Sequence, residues 1–181
     1  MNTVSVVILV LWAAFWIYWI AVSIGVKSGR TGGTRFRGFR VPVILIVLVL
    51  VRIVAYGHAF THNAWLQGIG LAVFLLGLAL AVWARVYLGR NWGGPMTRKD
   101  EPELVTTGPY RTIRHPIYTG IILATVGTTI AVSLYWLIAV VVLGAYFIYS
   151  AVTEERYLAE TFPDTYPGYK RSTKMLVPFI F

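Results

Sequence analysis

The chain has 181 residues and no cysteine, 57% of its residues are hydrophobic, 13% are charged, and its formal net charge is +9. Soluble domains are about 45–50% apolar and about 25% charged, so this composition argues against a soluble globular protein and excludes a disordered chain. The missing cysteine excludes disulfides, thiolate zinc sites, iron–sulfur clusters and a cysteine nucleophile.

Five long apolar runs predict five transmembrane helices, and the predicted fold class is an all-α integral membrane protein. A helix needs about 20 apolar residues to cross the bilayer core. Arg52 and Arg85 lie near the ends of their runs, where a long side chain reaches the interface. The last two runs meet at residues 133–136, which predicts a tight helical hairpin. The predicted spans are residues 4–24, 41–56, 65–88, 117–134 and 135–152.

The distribution of charge predicts the topology. Most of the 16 basic residues lie between spans one and two, between spans three and four, and after span five. With five spans these segments share one side, which the positive-inside rule identifies as the cytoplasm, so the N-terminus is outside. The charge therefore does not indicate nucleic-acid binding, which needs a basic face on a soluble domain. We expect a prokaryotic plasma membrane protein with an N-terminal two-span region, 1–63, and a core, 64–181.

Small residues recur every four positions in the fourth predicted span. Gly120, Ala124 and Thr128 form one series, and Gly127 and Ala131 form another. Because this spacing lets helices approach closely, we expect these residues to form a packing face.

The histidines of the predicted outer loop do not indicate a metal site. His58 and His62 have the i, i+4 spacing of a metal-binding pair, but no acidic residue or cysteine of the outer loops could complete it. We therefore expect no metal. The glycine patterns of phosphate-binding and dinucleotide-binding loops are also missing.

Two polar segments on the predicted cytoplasmic side could carry chemistry. In the first, residues 89–118, Arg114 and His115 come just before an apolar helix that begins with Pro116. Tyr118 lies three residues after His115, so the two share a helix face if the helix starts before His115. This basic, aromatic loop is suited to an anionic or polar ligand. The alternative is that its arginines fix the topology and contact lipid phosphates.

The second polar segment follows the fifth span. Glu154 and Glu155 lie where this span leaves the membrane, and Thr153, or a residue beside it, is a candidate cap for a short helix ending at Phe162. The paired carboxylates could bind a cation, or they could form a solvated helix start that the helix dipole favours. The apolar tail, 175–181, is expected to fold back onto the helices.

These segments resemble a known family. The motifs ELVTTGPYRTIRHPIYTG (103–120) and EERYLAETFPDTYPGYK (154–170) are similar to those of the isoprenylcysteine carboxyl methyltransferases, within a wider group that includes the phospholipid N-methyltransferases. The run LGRNW (88–92) resembles the prokaryotic members. The resemblance covers about half of the chain, and the five predicted spans fit it.

The resemblance implies an S-adenosylmethionine-dependent methyltransferase that releases S-adenosylhomocysteine. Its cofactor would be held without a Rossmann domain, by the last two spans and the cytoplasmic segments. Its partners would be membrane lipids and a lipophilic or small-molecule methyl acceptor. The cofactor-binding residues implied by position are Glu103, Leu104, Val105, Tyr110, His115, Pro116, Ile117, Tyr118, Glu154 and, with less support, Glu155.

One position departs from the family pattern. Prenylcysteine methyltransferases have an arginine one turn before the glutamate pair, which orients the substrate carboxylate, whereas this chain has Ser150 there. We therefore expect either an acceptor other than a prenylcysteine carboxylate, such as a thiol, an amine or an isoprenoid-like lipid, or a different arginine that replaces the missing one. Arg114 and Arg171 are the candidates, and they are the catalytic residues that we predict.

Two other functions remain open at this level. Sterol reductases carry a similar RHPxYxG segment and bind NADPH, but they are larger and have more spans. A non-catalytic membrane scaffold is the second alternative, and it requires that His115, Tyr118 and Glu154 be replaceable without loss of a ligand.

Overall fold

The computed structural model describes residues 2–23, 29–31, 61–92, 97–99 and 102–177. Over these residues the chain is mostly helical, and one short antiparallel pairing joins β1, Gly29–Thr31, to β2, Thr97–Lys99. The predicted second span, 41–56, and His58 lie outside the described residues.

Five α-helices form the described fold. Three of them are long and apolar enough to cross a membrane, over Thr3–Val22, Ala64–Leu88 and Leu134–Thr161. These ranges match the first, third and fifth predicted spans, whereas the helix of the fourth span is shorter. The helices are α1 Thr3–Ser23, α2 Ala64–Leu88, α3 Pro116–Ala131, α4 Leu137–Thr161 and α5 Tyr166–Ser172.

The expected helical hairpin is present, but its second helix is longer than predicted. A 3₁₀ turn, Leu134–Trp136, joins α3 to α4. Helix α4 then runs without a break to Thr161. The Thr153 hydroxyl donates a hydrogen bond to the Tyr149 carbonyl one turn earlier, at 2.9 Å. The prediction that Thr153 caps a separate short helix is therefore wrong, because its hydroxyl bonds back into a continuous helix.

The tightest helix packing joins α2 to α3 through small residues. A Cβ atom added to Gly120 would lie 2.6 Å from the Gly77 carbonyl oxygen, and one added to Gly77 would overlap the backbone of Ala124. This contact confirms the predicted packing face on α3. Thr128 faces a different neighbour, since its hydroxyl accepts a hydrogen bond from Trp12 Nε1 of α1 at 3.1 Å.

The polar segments gather at one end of the bundle. Arg85 near the C-terminus of α2 donates to the Val22 carbonyl near the C-terminus of α1, and Tyr118 in the first turn of α3 contacts Glu154 near the end of α4. Helices α1, α2 and α4 therefore run in one direction and α3 in the other. We call this end of the bundle the site end.

The chain after α5 folds back onto the start of α3. Residues 173–176, which we call the C-terminal strap, pair with residues 112–115 through a parallel β-bridge between Ile113 and Lys174. The Arg114 amide donates to the Lys174 carbonyl at 2.8 Å, and the His115 amide donates to the Met175 carbonyl at 3.1 Å. Because Leu176 is buried in the main hydrophobic cluster, the tail packs back as expected over its described part.

Candidate functional site

The centre of the candidate site is a stack of three rings. His115 is the residue before α3, and Pro116 at the first helical position fixes the direction of the chain there. One turn on, the Tyr118 ring lies parallel to the imidazole, with centroids 5.4 Å apart and an interplanar angle of 2°. Phe147 of α4 extends the stack at 4.5 Å from Tyr118. Because α3 begins at Pro116, His115 lies outside the helix, and the two side chains meet by ring stacking and not on a shared helix face.

Glu154 closes one side of this ring stack. Its Oε1 accepts a 2.5 Å hydrogen bond from the Tyr118 hydroxyl, and its Oε2 lies 3.5 Å from His115 Nδ1. Its side chain is 23% exposed, whereas the rings beneath it are buried. A carboxylate thus lies at the boundary between solvent and a buried aromatic surface.

Glu155 has different surroundings, although it is the next residue. Its side chain is 3% exposed, and its Oε1 accepts a 2.6 Å hydrogen bond from Arg114 Nε. Its Oε2 lies 2.7 Å from Lys170 Nζ, and His115 Nε2 lies 3.6 Å from Oε1. Both oxygens therefore have cationic partners inside the protein, and Glu155 ties the start of α3 to α5.

Arg114, which binds Glu155, also contacts the C-terminal strap. Its Nη1 donates to the Thr173 carbonyl at 2.6 Å and to the Lys170 carbonyl at 3.2 Å. Two of its three nitrogens thus have partners within the protein. The second arginine proposed from the sequence, Arg171, is exposed on α5. Ser150, one turn before Glu154, is fully buried and donates to the Tyr146 carbonyl at 2.9 Å.

His115 lies between the two glutamates, and this position sets its charge. Burial lowers the pKa of the imidazole, but the carboxylates of Glu154 and Glu155 outweigh burial and raise it above its ordinary value. At 3.6 Å from Glu155, Nε2 is too far for a hydrogen bond, and this buried atom has no hydrogen-bond partner. The two carboxylates therefore favour the protonated form of the imidazole through charge attraction from two sides.

This raised pKa predicts a loss of stability at high pH. A group that binds its proton more tightly when folded stabilises the fold fully below its unfolded pKa of about 6.5, and the effect disappears as pH rises through the folded pKa. The melting temperature of the purified protein in detergent should therefore fall above about pH 6.5, and His115→Gln should flatten this decline. The exposed His62→Gln variant is the control, and an unchanged decline in His115→Gln would contradict the assignment.

A second pair of aromatic residues lies beside the ring stack. The Tyr169 hydroxyl of α5 donates a 2.7 Å hydrogen bond to the Tyr110 carbonyl. Burial raises the pKa of Tyr110 well above its usual range and raises the pKa of Tyr169 to about 12. Both phenols are therefore neutral near pH 7, and Tyr110 presents an uncharged ring to the hydrophobic cluster that also contains Tyr118.

The remaining predicted cofactor residues differ in how deeply they are buried. Pro116 and Ile117 are buried in the first turn of α3, and Val105 packs against the same cluster as Tyr110. Leu104 is half-buried. Glu103 is exposed and accepts a 2.7 Å hydrogen bond from Asn91 Nδ2. The segment before α3 therefore contributes apolar contacts to the cluster chiefly through Val105.

Sequence reasoning missed two residues of the site. Phe147 lies seven positions before Glu154, which is two helical turns, so the helical period could have placed it on the same face. The pairing of Lys170 with Glu155 depends on the fold of the C-terminal segment, which no local pattern of the sequence indicates. Among the residues that the structure describes, no group of three or more histidines and acidic residues is arranged to hold a metal ion.

A family model matches more than half of this chain. The model described as phospholipid methyltransferase matches residues 65–165, which include α3, the loop before it and the two glutamates of α4.

The named relatives are described either as metal resistance proteins or as protein-S-isoprenylcysteine O-methyltransferases. The cobalt-zinc-cadmium resistance protein CzcN of Cupriavidus metallidurans is 31% identical over 75% of this chain and 61% of its own length. Protein-S-isoprenylcysteine O-methyltransferase B of Arabidopsis thaliana is 26% identical over 78% of this chain and 74% of its own length. This chain spans about three fifths of the length of CzcN and of the nickel-cobalt-cadmium resistance protein NccN of Alcaligenes xylosoxydans xylosoxydans.

A solved structure has a similar fold. The eukaryotic intramembrane Ras methyltransferase ICMT, an isoprenylcysteine carboxyl methyltransferase, superposes with a TM-score of 0.57 at 24% identity, over 83% of this chain and 55% of that protein. Together with the apolar helices, this likeness identifies an integral membrane protein fold. The chain belongs to the phospholipid methyltransferase family, and isoprenylcysteine O-methyltransferases are among the proteins that it resembles.

Proposed function

We propose that this protein is a membrane methyltransferase that uses S-adenosylmethionine to methylate a lipophilic or small acceptor at the cytoplasmic face. The observation that supports this function most is the partly exposed Glu154 beside the buried stack of His115, Tyr118 and Phe147. A cationic ligand fits such a site, because the carboxylate attracts an ammonium and the aromatic faces attract a sulfonium.

In this proposal, each residue of the site has one task toward the cofactor. Glu154 binds the ammonium of the amino acid end, and Tyr118 fixes the Glu154 carboxylate through the hydroxyl bond. Phe147 and Tyr110 provide apolar surface that excludes water. His115 and the first turn of α3, Pro116 and Ile117, hold the polar groups of the cofactor. The backbone of Glu103, Leu104 and Val105 lines its remaining side.

The cofactor, when bound, supplies an electrophilic methyl group on a sulfonium. The protein's contribution is to keep the attacking atom, the methyl carbon and the sulfur in line, in a site from which water is excluded. The buried ring stack suits this task, since rings packed on two helices hold a fixed surface. Glu155 does not bind the cofactor directly in this proposal, because both of its oxygens bind cationic side chains of the protein.

The membrane arrangement is part of the proposal. We propose five spans with the N-terminus outside, the site end on the cytoplasmic side of a prokaryotic plasma membrane, and a core region over residues 64–181. Membrane lipids and the acceptor are the proposed partners. Arg114 or Arg171 would orient an acceptor carboxylate in place of the arginine that Ser150 replaces. The contacts of Arg114 with Glu155 and Thr173 favour a positioning role for Arg114 over direct contact.

The direct test is cofactor binding. Wild-type protein in detergent should bind S-adenosylhomocysteine with a micromolar dissociation constant by isothermal titration calorimetry. Glu154→Gln should raise this constant by about 10- to 100-fold, because a charge-assisted hydrogen bond contributes about 1.5–3 kcal/mol.

Two controls make the result decisive. Glu160→Gln changes an exposed glutamate of the same helix and should bind like the wild type. NADPH, the cofactor of the sterol reductases, should not compete with S-adenosylhomocysteine. Folded wild-type protein that does not bind S-adenosylhomocysteine would refute the proposed function, and binding of NADPH instead would favour a reductase.

A further inference from the structure

The C-terminal strap, residues 173–176, has an inner side that holds the start of α3. Leu176 on this side is 5% exposed, and its carbonyl accepts a 2.7 Å hydrogen bond from the Thr119 hydroxyl. The main chain of the strap also accepts hydrogen bonds from the amides of Arg114 and His115. The strap therefore fixes the backbone of the residues that lead into α3, including His115 of the ring stack.

The outer side of the strap is basic. Lys174 is exposed, and its amide donates to the Thr112 carbonyl at 3.1 Å, which brings the strap beside Arg111. Arg111 is exposed too, as is Arg171, which lies two positions before the strap. Within the described parts of the chain, no acidic side chain forms an ion pair with these cations. Their charge is therefore not neutralised by a described partner.

This basic surface lies at the level where α3 begins. Thr119, which binds the Leu176 carbonyl, is in the first turn of that helix. Val177, the residue after the strap, is 42% exposed although it is apolar. An apolar side chain beside long cationic ones suits the headgroup layer of a bilayer, where the first reaches acyl chains and the others reach phosphates.

We propose that Lys174 and Arg111 bind anionic phospholipid headgroups, and that this contact holds the strap on the site and thereby tightens cofactor binding. Basic residues next to a membrane helix are attracted by an anionic leaflet, and the attraction falls off within a Debye length. Exposed cations at the level of a helix start lie within that distance. This inference rests on the proposed function and adds to it a regulation by membrane charge.

The strap connects the headgroup contact to the cofactor site through His115. The Met175 carbonyl accepts the His115 amide hydrogen bond at 3.1 Å. The imidazole of the same residue stacks on Tyr118, whose hydroxyl binds Glu154. Headgroups that bind the docked strap better than a detached strap therefore favour the arrangement of rings that binds the cofactor. Because such coupling is reciprocal, bound cofactor should also strengthen the lipid contact.

The test compares bilayers of different charge. Wild-type protein is placed in nanodiscs of phosphatidylcholine, or of phosphatidylcholine and phosphatidylglycerol in equal parts, with the same acyl chains. The anionic lipid should raise the melting temperature of cofactor-free protein. It should also lower the dissociation constant of S-adenosylhomocysteine about 5-fold, a modest value for coupling between two sites. High ionic strength should remove both effects, because it screens exposed charges.

Single-charge variants locate the contact. Lys174→Gln and Arg111→Gln should each reduce both effects of phosphatidylglycerol, and the double variant should lose them while it binds S-adenosylhomocysteine normally in neutral discs. Arg156→Gln removes one charge from an exposed position of α4 outside the strap and should respond like the wild type. A basic residue that only determines topology acts during insertion, so its loss would leave the response of the inserted protein unchanged.

Several results would overturn the inference. One is a wild-type protein with the same melting temperature in both kinds of disc, and another is a double variant that keeps the response. A melting temperature that responds while the dissociation constant does not would refute the coupling. Glycerol 3-phosphate that reproduces the effects in neutral discs would assign the surface to a soluble phosphate. Absent S-adenosylhomocysteine binding in both discs would refute the proposed function, whereas the melting temperature of cofactor-free protein would still decide the headgroup contact.

Discussion

Replacing Glu155 by alanine should lower the free energy of unfolding by about 3–5 kcal/mol, because the change leaves buried cationic groups without their counter-ion. Glu155 is 3% exposed and is bound by Arg114 Nε at 2.6 Å and by Lys170 Nζ at 2.7 Å. Arg114 and His115 would then remain in a buried environment without this carboxylate. The measurement is unfolding of purified protein in mixed micelles with increasing denaturing detergent.

The two ion pairs of Glu155 should contribute unequally. Lys170 is 53% exposed, so water screens its charge, and Lys170→Met should cost no more than about 1 kcal/mol. Arg114 is largely buried and also holds the strap through the Thr173 carbonyl, so Arg114→Met should cost several times more. Glu160→Ala, at an exposed position of the same helix, should change stability by about 0.5 kcal/mol or less. Equal losses in Glu155→Ala and Glu160→Ala would refute the assigned role of Glu155.

The helices could be predicted from the sequence, because the patterns that indicate a helix lie within the helix itself. Long apolar runs predicted α1, α2 and α4, and the small residues around Gly120 predicted the close contact with α2. The end of α4 was placed wrongly, because Glu154 and Glu155 marked the end of the apolar run but do not break a helix. A helix continues past the membrane boundary when tertiary contacts support its last turns, and Glu155 supplies such contacts.

The site was predictable in part. The resemblance to the family implied a shared site for His115, Tyr118 and Glu154, which the fold brings together. The different surroundings of Glu154 and Glu155 could not be read from the sequence, because adjacent helical residues point about 100° apart and what each one faces depends on the fold. Arg85 was interpreted as a side chain that reaches the membrane interface, whereas it is buried between two helix ends.

Methyl transfer should depend on the ring of Tyr118 more than on its hydroxyl. The ring lies between His115 and Phe147, whereas the hydroxyl makes the hydrogen bond that fixes Glu154. Tyr118→Phe keeps the stack and should lower kcat/KM by about 10-fold, chiefly by raising KM for the cofactor. Tyr118→Ala removes both the ring stack and the hydroxyl bond to Glu154. This variant should lower kcat/KM by more than about 100-fold, because the cofactor is no longer held in line with the acceptor.

The comparison of the two variants decides what the stack does. Tyr149→Phe removes the hydroxyl of an exposed tyrosine on α4 and should keep wild-type kinetics, provided that its melting temperature is unchanged. A loss in Tyr118→Phe as large as that in Tyr118→Ala would show that the hydroxyl bond to Glu154 carries the whole effect. Wild-type kinetics in Tyr118→Ala would remove the ring stack from the proposed site. The split between KM and kcat matters, because a stack that only stabilised the fold would lower the melting temperature of Tyr118→Ala and leave the KM of its folded fraction unchanged.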